Sequence, residues 1–209
     1  MDNFNSKLKC LMLVFFIFYS LIWIDYLFSE NIEQNKNKIE DIESNNKKQL
    51  LMSLYAISRA IELVPENPST RVNRALIYFE LEEYDKAIMD LDISIALFPH
   101  ERAFLVRGKI YMMKKQLQKA KNDFQKVLRF NPVNYTGYFY LGSIDFALGN
   151  TKQALDSFNA SLKINPNFKW SLFQRSKIYS TLGEIEKFNK DIDQLLKIDP
   201  NFIDTMLRD

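Results

Sequence analysis

The chain has 209 residues, 28 of them basic and 26 acidic, for a formal net charge of +2. That near-balance excludes the strong positive field with which a dedicated nucleic-acid binder recruits its ligand. Cys10 is the only cysteine and His100 the only histidine, which excludes an internal disulfide, a cysteine-rich metal site and a multi-histidine metal site.

After a tail at 1–7, residues 8–28 form the first expected element. Leu11 to Ile24 is apolar apart from Ser20, with Lys7 and Lys9 before it and Asp25 after it. As a helix, 8–28 would be roughly 30 Å long, the thickness of a bilayer core. Trp23 and Tyr26 stand at one end, where amphipathic rings favour the interface. No small-residue cleavage site follows, since the chain continues Phe28, Ser29, Glu30, Asn31. An uncleaved transmembrane anchor is therefore expected, rather than a signal peptide. Lys7 and Lys9 before the run, against Lys36 and Lys38 after it, place the amino terminus in the cytoplasm by the positive-inside rule. The rest of this single-pass chain is then expected on the non-cytoplasmic, periplasmic side.

Residues 29–48 are rich in Asn, Glu and Lys and read as a polar linker. In 49–67, Ser53, Ile57 and Ala60 mark one amphipathic helix ending at Pro65. Asn37, Asp41 and Ser44 fall where a preceding helix would need packing residues, so this is half a hairpin, an atypical cap. The clearest unit is 101–134. Phe104, Gly108 and Tyr111 are spaced by four and three residues, as are Ala120, Phe124 and Val127, and Pro132 closes the stretch. Each trio lies on one stripe of a helix. Small Gly108 and Ala120 let two helices approach, with a break near Lys115. Such a hairpin cannot bury its own apolar face and needs copies stacked on it. The copies are 68–100, with Ala75, Tyr78, Ala87 and Leu91; 135–168, with Tyr138, Leu141, Gly142, Ala154 and Phe158; and 169–200, with Leu172, Ser176, Tyr179, Phe188 and Ile192. Pro65, Pro99, Pro132, Pro166 and Pro200 recur at intervals of 34, 33, 34 and 34 residues. Turns are expected at Glu82–Tyr84, Gly149 and Gly183, and Phe188 in place of a small residue should splay or repack the last hairpin. A short tail, 201–209, ends the chain.

This pattern resembles the tetratricopeptide repeat over about Ser53 to Pro200. The resemblance implies an all-α, right-handed superhelix (an α-solenoid) of about four full hairpins plus a leading half repeat. It also implies that the first helix of each hairpin lines a concave groove for a protein partner. Residues one turn apart on those helices form columns. Val72, Leu105, Phe139 and Phe173 make one and Phe79, Met112 and Phe146, with Ser180, another. Arg102, Trp170, Lys109 and Lys177 lie in the columns beside them. The expected site is therefore an apolar wall with cationic points, suited to an amphipathic helix or apolar segment whose acidic groups meet the lysines. The same side chains could instead complete packing between neighbouring first helices. Arg74, Arg107 and Arg175 stand where the family usually has leucine. Their stems are expected to cover apolar surface while the charge reaches water, so they carry no assigned site.

Some members of the family hold the carboxyl terminus of a chaperone with lysines, asparagines and an arginine. Lys38, Asn73 and Arg102 match three of those places, but Ile42 and Val106 occupy two others, which argues against that ligand. No glycine-rich phosphate loop, zinc spacing or nucleophile elbow is present. Asp90 and Asp92, like Asp191 and Asp193, are two residues apart and point to different sides of a helix. No catalytic residue, cofactor, metal, nucleic acid or small-molecule substrate is expected. The expected function is a membrane-anchored scaffold in assembly of a membrane or envelope complex. Anchored repeat proteins of similar layout suggest two alternatives, an assembly factor for a photosynthetic complex and an adaptor subunit of an envelope enzyme.

Overall fold

The computed structural model describes residue 36, residues 43–202 and residue 205. The expected bilayer helix at 8–28 lies outside the described residues, as does most of the linker. Among the described residues, no helix is long and apolar enough to cross a membrane. The chain divides into two compact units, 1–53 and 54–209, and all the hairpins lie in the second.

Helix α1 spans residues 43–63. Its described residues 43–48 fall within the stretch read as a polar linker. No glycine or proline interrupts the chain between Lys36 and Val64, and Glu43, Lys47, Lys48 and Gln49 are good helix formers. Four hairpins follow: α2 (Pro68–Glu80) with α3 (Tyr84–Leu97), α4 (Glu101–Met113) with α5 (Leu117–Phe130), α6 (Tyr135–Ala147) with α7 (Thr151–Ile164), and α8 (Lys169–Thr181) with α9 (Ile185–Ile198). No strand occurs among the described residues. The side chain of Asn67 caps α2 by accepting from the amides of Ser69 at 3.0 Å and Thr70 at 3.3 Å. Pro68 at the first helical position has no amide to satisfy.

Inside three hairpins the contact of a small residue with a large apolar one forms as the spacing requires, the large one being aromatic in the second and third. Ala87 and Leu91, Ala120 and Phe124, and Ala154 and Phe158 are fully buried. A Cβ on Gly108 would stand 2.9 Å from Cζ of Phe124, and one on Gly142 2.8 Å from Cε1 of Phe158. Any larger residue there would push the helices apart. In the last hairpin Phe188 and Ile192 are only half-buried, and the second helix contributes Leu195 and Asp191 to the interior. The bulk of Phe188 is accommodated by moving it towards solvent.

The turns share one device. Gly149 and Gly183 have φ of 79° and 71°, and Glu82 and Lys115 at the corresponding places have φ of 60° and 57°. Each hairpin thus reverses through one left-handed residue, whether or not that residue is glycine.

Hairpins stack with the second helix of one against the first helix of the next. In addition α2 touches α4 and α6 touches α8, while no comparable contact joins α4 to α6, nor α3 to α5, α5 to α7 or α7 to α9. The layer of first helices is therefore the tighter one and forms the inner wall.

The arginine heads do not reach water as the sequence suggests; they close a series of buried ion pairs. Nε and Nη2 of Arg74 donate to Asp90 at 2.6 and 2.7 Å, those of Arg107 to Asp123 at 2.8 and 2.7 Å, and those of Arg175 to Asp191 at 2.8 and 2.6 Å. The three carboxylates are each about 2% exposed. The remaining Nη1 reaches back to the preceding second helix: Ser58 at 3.4 Å, Asp92 at 2.5 Å and Asn159 at 2.6 Å respectively. Each arginine thus ties its own hairpin to the one before it. Burial works against the charge of Arg107, but its hydrogen bonds and the charges of Asp123 and Asp92 outweigh that and raise its pKa. The third hairpin lacks the device as a whole. Leu141 replaces the arginine and Ser157 the aspartate. There Asp145 accepts instead from Lys121 of the preceding hairpin at 2.6 Å and from Asn150 at 3.3 Å.

Candidate protein-binding wall

The expected site residues all lie on first helices, on the inner side of the array. Their availability differs. Arg102, Trp170 and Lys177 are exposed, and Trp170 keeps 41% of its surface open. Phe79, Leu105, Lys109, Met112 and Phe146 are half-buried, and all but Lys109 pack against the core. Val72 is corrected: it is fully buried among Ala75, Leu91, Ala103 and Ile110, so it is a packing residue and offers nothing to a partner.

Phe139 and Phe173 are half-buried because an aromatic ring from the next turn of chain covers each. Phe168, just before α8, meets Phe139 edge-on with centroids 5.4 Å apart. Phe202, one repeat later, meets Phe173 at 5.8 Å and Trp170 at 5.2 Å. Edge-on pairs of this kind add about 1 kcal/mol beyond burial. Of the two roles weighed for this column, packing is therefore the one these rings perform in the structure. The sequence reading missed Phe168 and Phe202, although their shared place in successive repeats was visible.

The cations are held over rings. Nζ of Lys109 sits 5.5 Å from the centre of the Tyr140 ring, and Nζ of Lys177 5.6 Å from that of Phe173. Such contacts orient an ammonium without neutralising it, leaving its charge free for an acidic group. Tyr140 was not anticipated as a support for Lys109. Near Arg102, Glu101 accepts from Asn131 at 3.2 Å and also from Asn134, and so is already engaged.

Of the residues compared with a chaperone-tail site, Asn73 and Arg102 are exposed and Val106 is buried, while Lys38 and Ile42 lie outside the described residues. His100 sits in the turn before α4 with Nδ1 2.8 Å from the carbonyl of Phe98, away from any carboxylate pair. Among the described residues, no group of three His, Cys, Asp or Glu side chains could hold a metal ion.

Residues 101–134 and 171–202 match one sequence profile of the tetratricopeptide repeat, and 135–168 match a second. Human tetratricopeptide repeat protein 13 is 28% identical over 133 residues, covering 64% of this chain and 15% of that protein. Rat RNA polymerase II-associated protein 3 is 33% identical over 97 residues, covering 46% of this chain and 15% of that protein. The chain therefore spans only 15% of the length of these curated relatives. Among solved structures, MamA superposes with a TM-score of 0.67 at 18% identity, over 78% of this chain and 95% of that one. YrrB, described as a TPR protein with an unusual peptide-binding site, gives 0.62 at 24% identity, over 71% and 77%. The first TPR of Spaghetti, bound to an HSP90 peptide, gives 0.54 at 21% identity, over 56% and 94%. These structures share the fold of stacked helical hairpins, and the matched profiles place the repeats themselves at 101–168 and 171–202. Over residues 101–168 and 171–202 the chain is built of tetratricopeptide repeats.

Proposed function

We propose that this protein is a non-catalytic scaffold that holds a protein partner on the inner wall of its repeat array, tethered to a bilayer through residues 8–28 in the assembly of a membrane or envelope complex. The observation that carries the reading is the set of exposed Arg102, Trp170 and Lys177 beside half-buried Met112 and Phe146, which combines apolar surface with uncommitted cations. It suits an amphipathic segment with apolar residues on one face and an acidic residue beside them. Binding of peptides by the solved structures of YrrB and Spaghetti supports this use of the fold. A chaperone tail fits poorly, because buried Val106 stands where that ligand needs a polar contact.

The test is a photoreactive amino acid in place of Met112, in the full-length chain expressed in its own membranes. Irradiation should yield one dominant protein adduct, and Trp170→Glu with Lys177→Glu should remove it while far-UV circular dichroism stays unchanged. Absence of an adduct, or one indifferent to those substitutions, would overturn the proposal. The tether is tested separately. The chain should resist alkaline extraction from membranes, and residues 29–209 should be open to protease from the non-cytoplasmic side.

A further inference from the structure

Most charges of the first helices are engaged within the array, and those left free along its middle are of one sign. Arg74, Arg107 and Arg175 hold buried aspartates. Arg71 lies 3.6 Å from Asp90 and donates to the carbonyl of Pro65, and Lys169 pairs with Asp199. Of the acids, Glu101 accepts from Asn131 and Asn134, and Asp145 is buried against Lys121. Among the described residues, Arg102, Lys109 and Lys177 are left without a carboxylate. Glu80 is the one free acid on these helices, and it is the last residue of α2.

Two of the three cations share a register. Lys109 and Lys177 hold the same place in the second and fourth hairpins, where the third has Ser143, whose hydroxyl donates to the carbonyl of Phe139. Nζ of Lys109 lies over Tyr140 of α6, and that ring stacks on Phe124 of α5 at 4.7 Å, so the ammonium stands on the side of α6 that faces α4 and α5. Nζ of Lys177 lies over Phe173 of its own helix, α8. Helix α6 therefore separates the two, and neighbouring helix axes are about 8–10 Å apart. A charge-assisted hydrogen bond reaches only about 2.7–2.9 Å, so no single carboxylate meets both ammonium groups. The stretch between them carries no charge of its own, because Asp145 is the only charged residue of α6 and is buried.

We infer that the partner is held through an acidic segment with two separate carboxylates, one on Lys109 and one on Lys177, and uncharged residues between them across α6. The inference rests on the inner wall being the binding surface. It assigns the two lysines the choice of partner, since a basic segment meets like charge at both ends of the stretch. In an extended segment the two acids stand at least about three residues apart, at roughly 3.3 Å each. A chain end supplies one carboxylate at one point and satisfies only one of the lysines, so the segment is internal to its protein.

The photoreactive residue in place of Met112 supplies the probe. The partner segment it captures, identified by mass spectrometry and synthesised with an amidated end, should carry two Asp or Glu at that separation. It should bind the full-length chain in detergent, read by fluorescence anisotropy. Lys109→Met and Lys177→Met should each weaken binding about 2–5-fold, and the double variant by the product of the two. Arginine at either place should restore it. Replacing one acid of the peptide by its amide should silence one lysine variant and leave the other effective. A segment with fewer than two acids, a segment that binds only through a free carboxyl terminus, or an affinity indifferent to either lysine would overturn the inference. The binding wall survives those results if Trp170→Glu still removes the adduct. No protein adduct from the wild-type wall would overturn both.

Discussion

Replacing Arg107 by leucine isolates the energetic logic of the array. The Arg107 side chain is 17% exposed and its guanidinium makes two hydrogen bonds to Asp123, whose side chain is 2% exposed, so its loss leaves that carboxylate buried without a counter-charge. Breaking a buried pair in this way costs about 3–5 kcal/mol, whereas replacing both partners by residues that suit each other is often close to neutral. The third hairpin supplies the replacement, since Leu141 and Ser157 already occupy these two places. Arg107→Leu alone should therefore destabilise the chain by about 3–5 kcal/mol, and Arg107→Leu with Asp123→Ser by about 1 kcal/mol or less. Chemical denaturation followed by far-UV circular dichroism measures both. A single variant within 1 kcal/mol of wild type, or a double variant worse than the single, would refute the reasoning.

Three further outcomes follow from the geometry. Lys115 holds φ of 57°, so Lys115→Gly should stabilise by about 0.5–1 kcal/mol, whereas Gly149→Ala at φ of 79° should destabilise by about 1 kcal/mol; the shifts in denaturation midpoint decide both signs. Phe158→Ala empties the fully buried contact with Gly142 and should cost about 3–5 kcal/mol, read from the same curves. Nζ of Lys169 donates to Asp199 at 2.8 Å, and that bond holds the carboxyl below its ordinary pKa of 3.8. A carboxylate depressed in the native state contributes stability that is complete above the unfolded value and lost as pH falls through the native one. By NMR titration, Lys169→Met should return the Asp199 midpoint towards the ordinary value, and an unmoved midpoint would dismiss the bond.

The repeat itself was legible because its signals are local and repeated. Small residues at Gly108 and Ala120, an aromatic at Phe124 and a closing proline dictate a hairpin wherever they recur at that spacing. What escaped the sequence reading involved pairs. Arg107 taken alone reads as an amphipathic stem with its head in water. Only the sixteen-residue interval from Arg74 to Asp90, Arg107 to Asp123 and Arg175 to Asp191, with both members missing together at Leu141 and Ser157, announces a bond. Glu82 and Lys115 gave no hint of left-handed backbone, because neither residue type favours it and the turn is imposed by the packed helices on either side. The columns of residues along the first helices were legible from their spacing alone. That Val72 is sealed, and that Phe168 and Phe202 fold against the wall, depends on how successive hairpins meet, which one helix cannot show.

The backward reach of each arginine head has a consequence for shortening the array. Excising residues 135–168 would join Asn134 to Lys169 and bring Gln125 to the place that Asn159 holds beside Arg175, exchanging one carboxamide for another. Removing 101–134 instead would set the hydrocarbon of Leu141 where Asp92 now finds a guanidinium. A chain one unit shorter is thus compatible with its own neighbours at the third unit and mismatched at the second, so the order of near-identical parts is written into their joints.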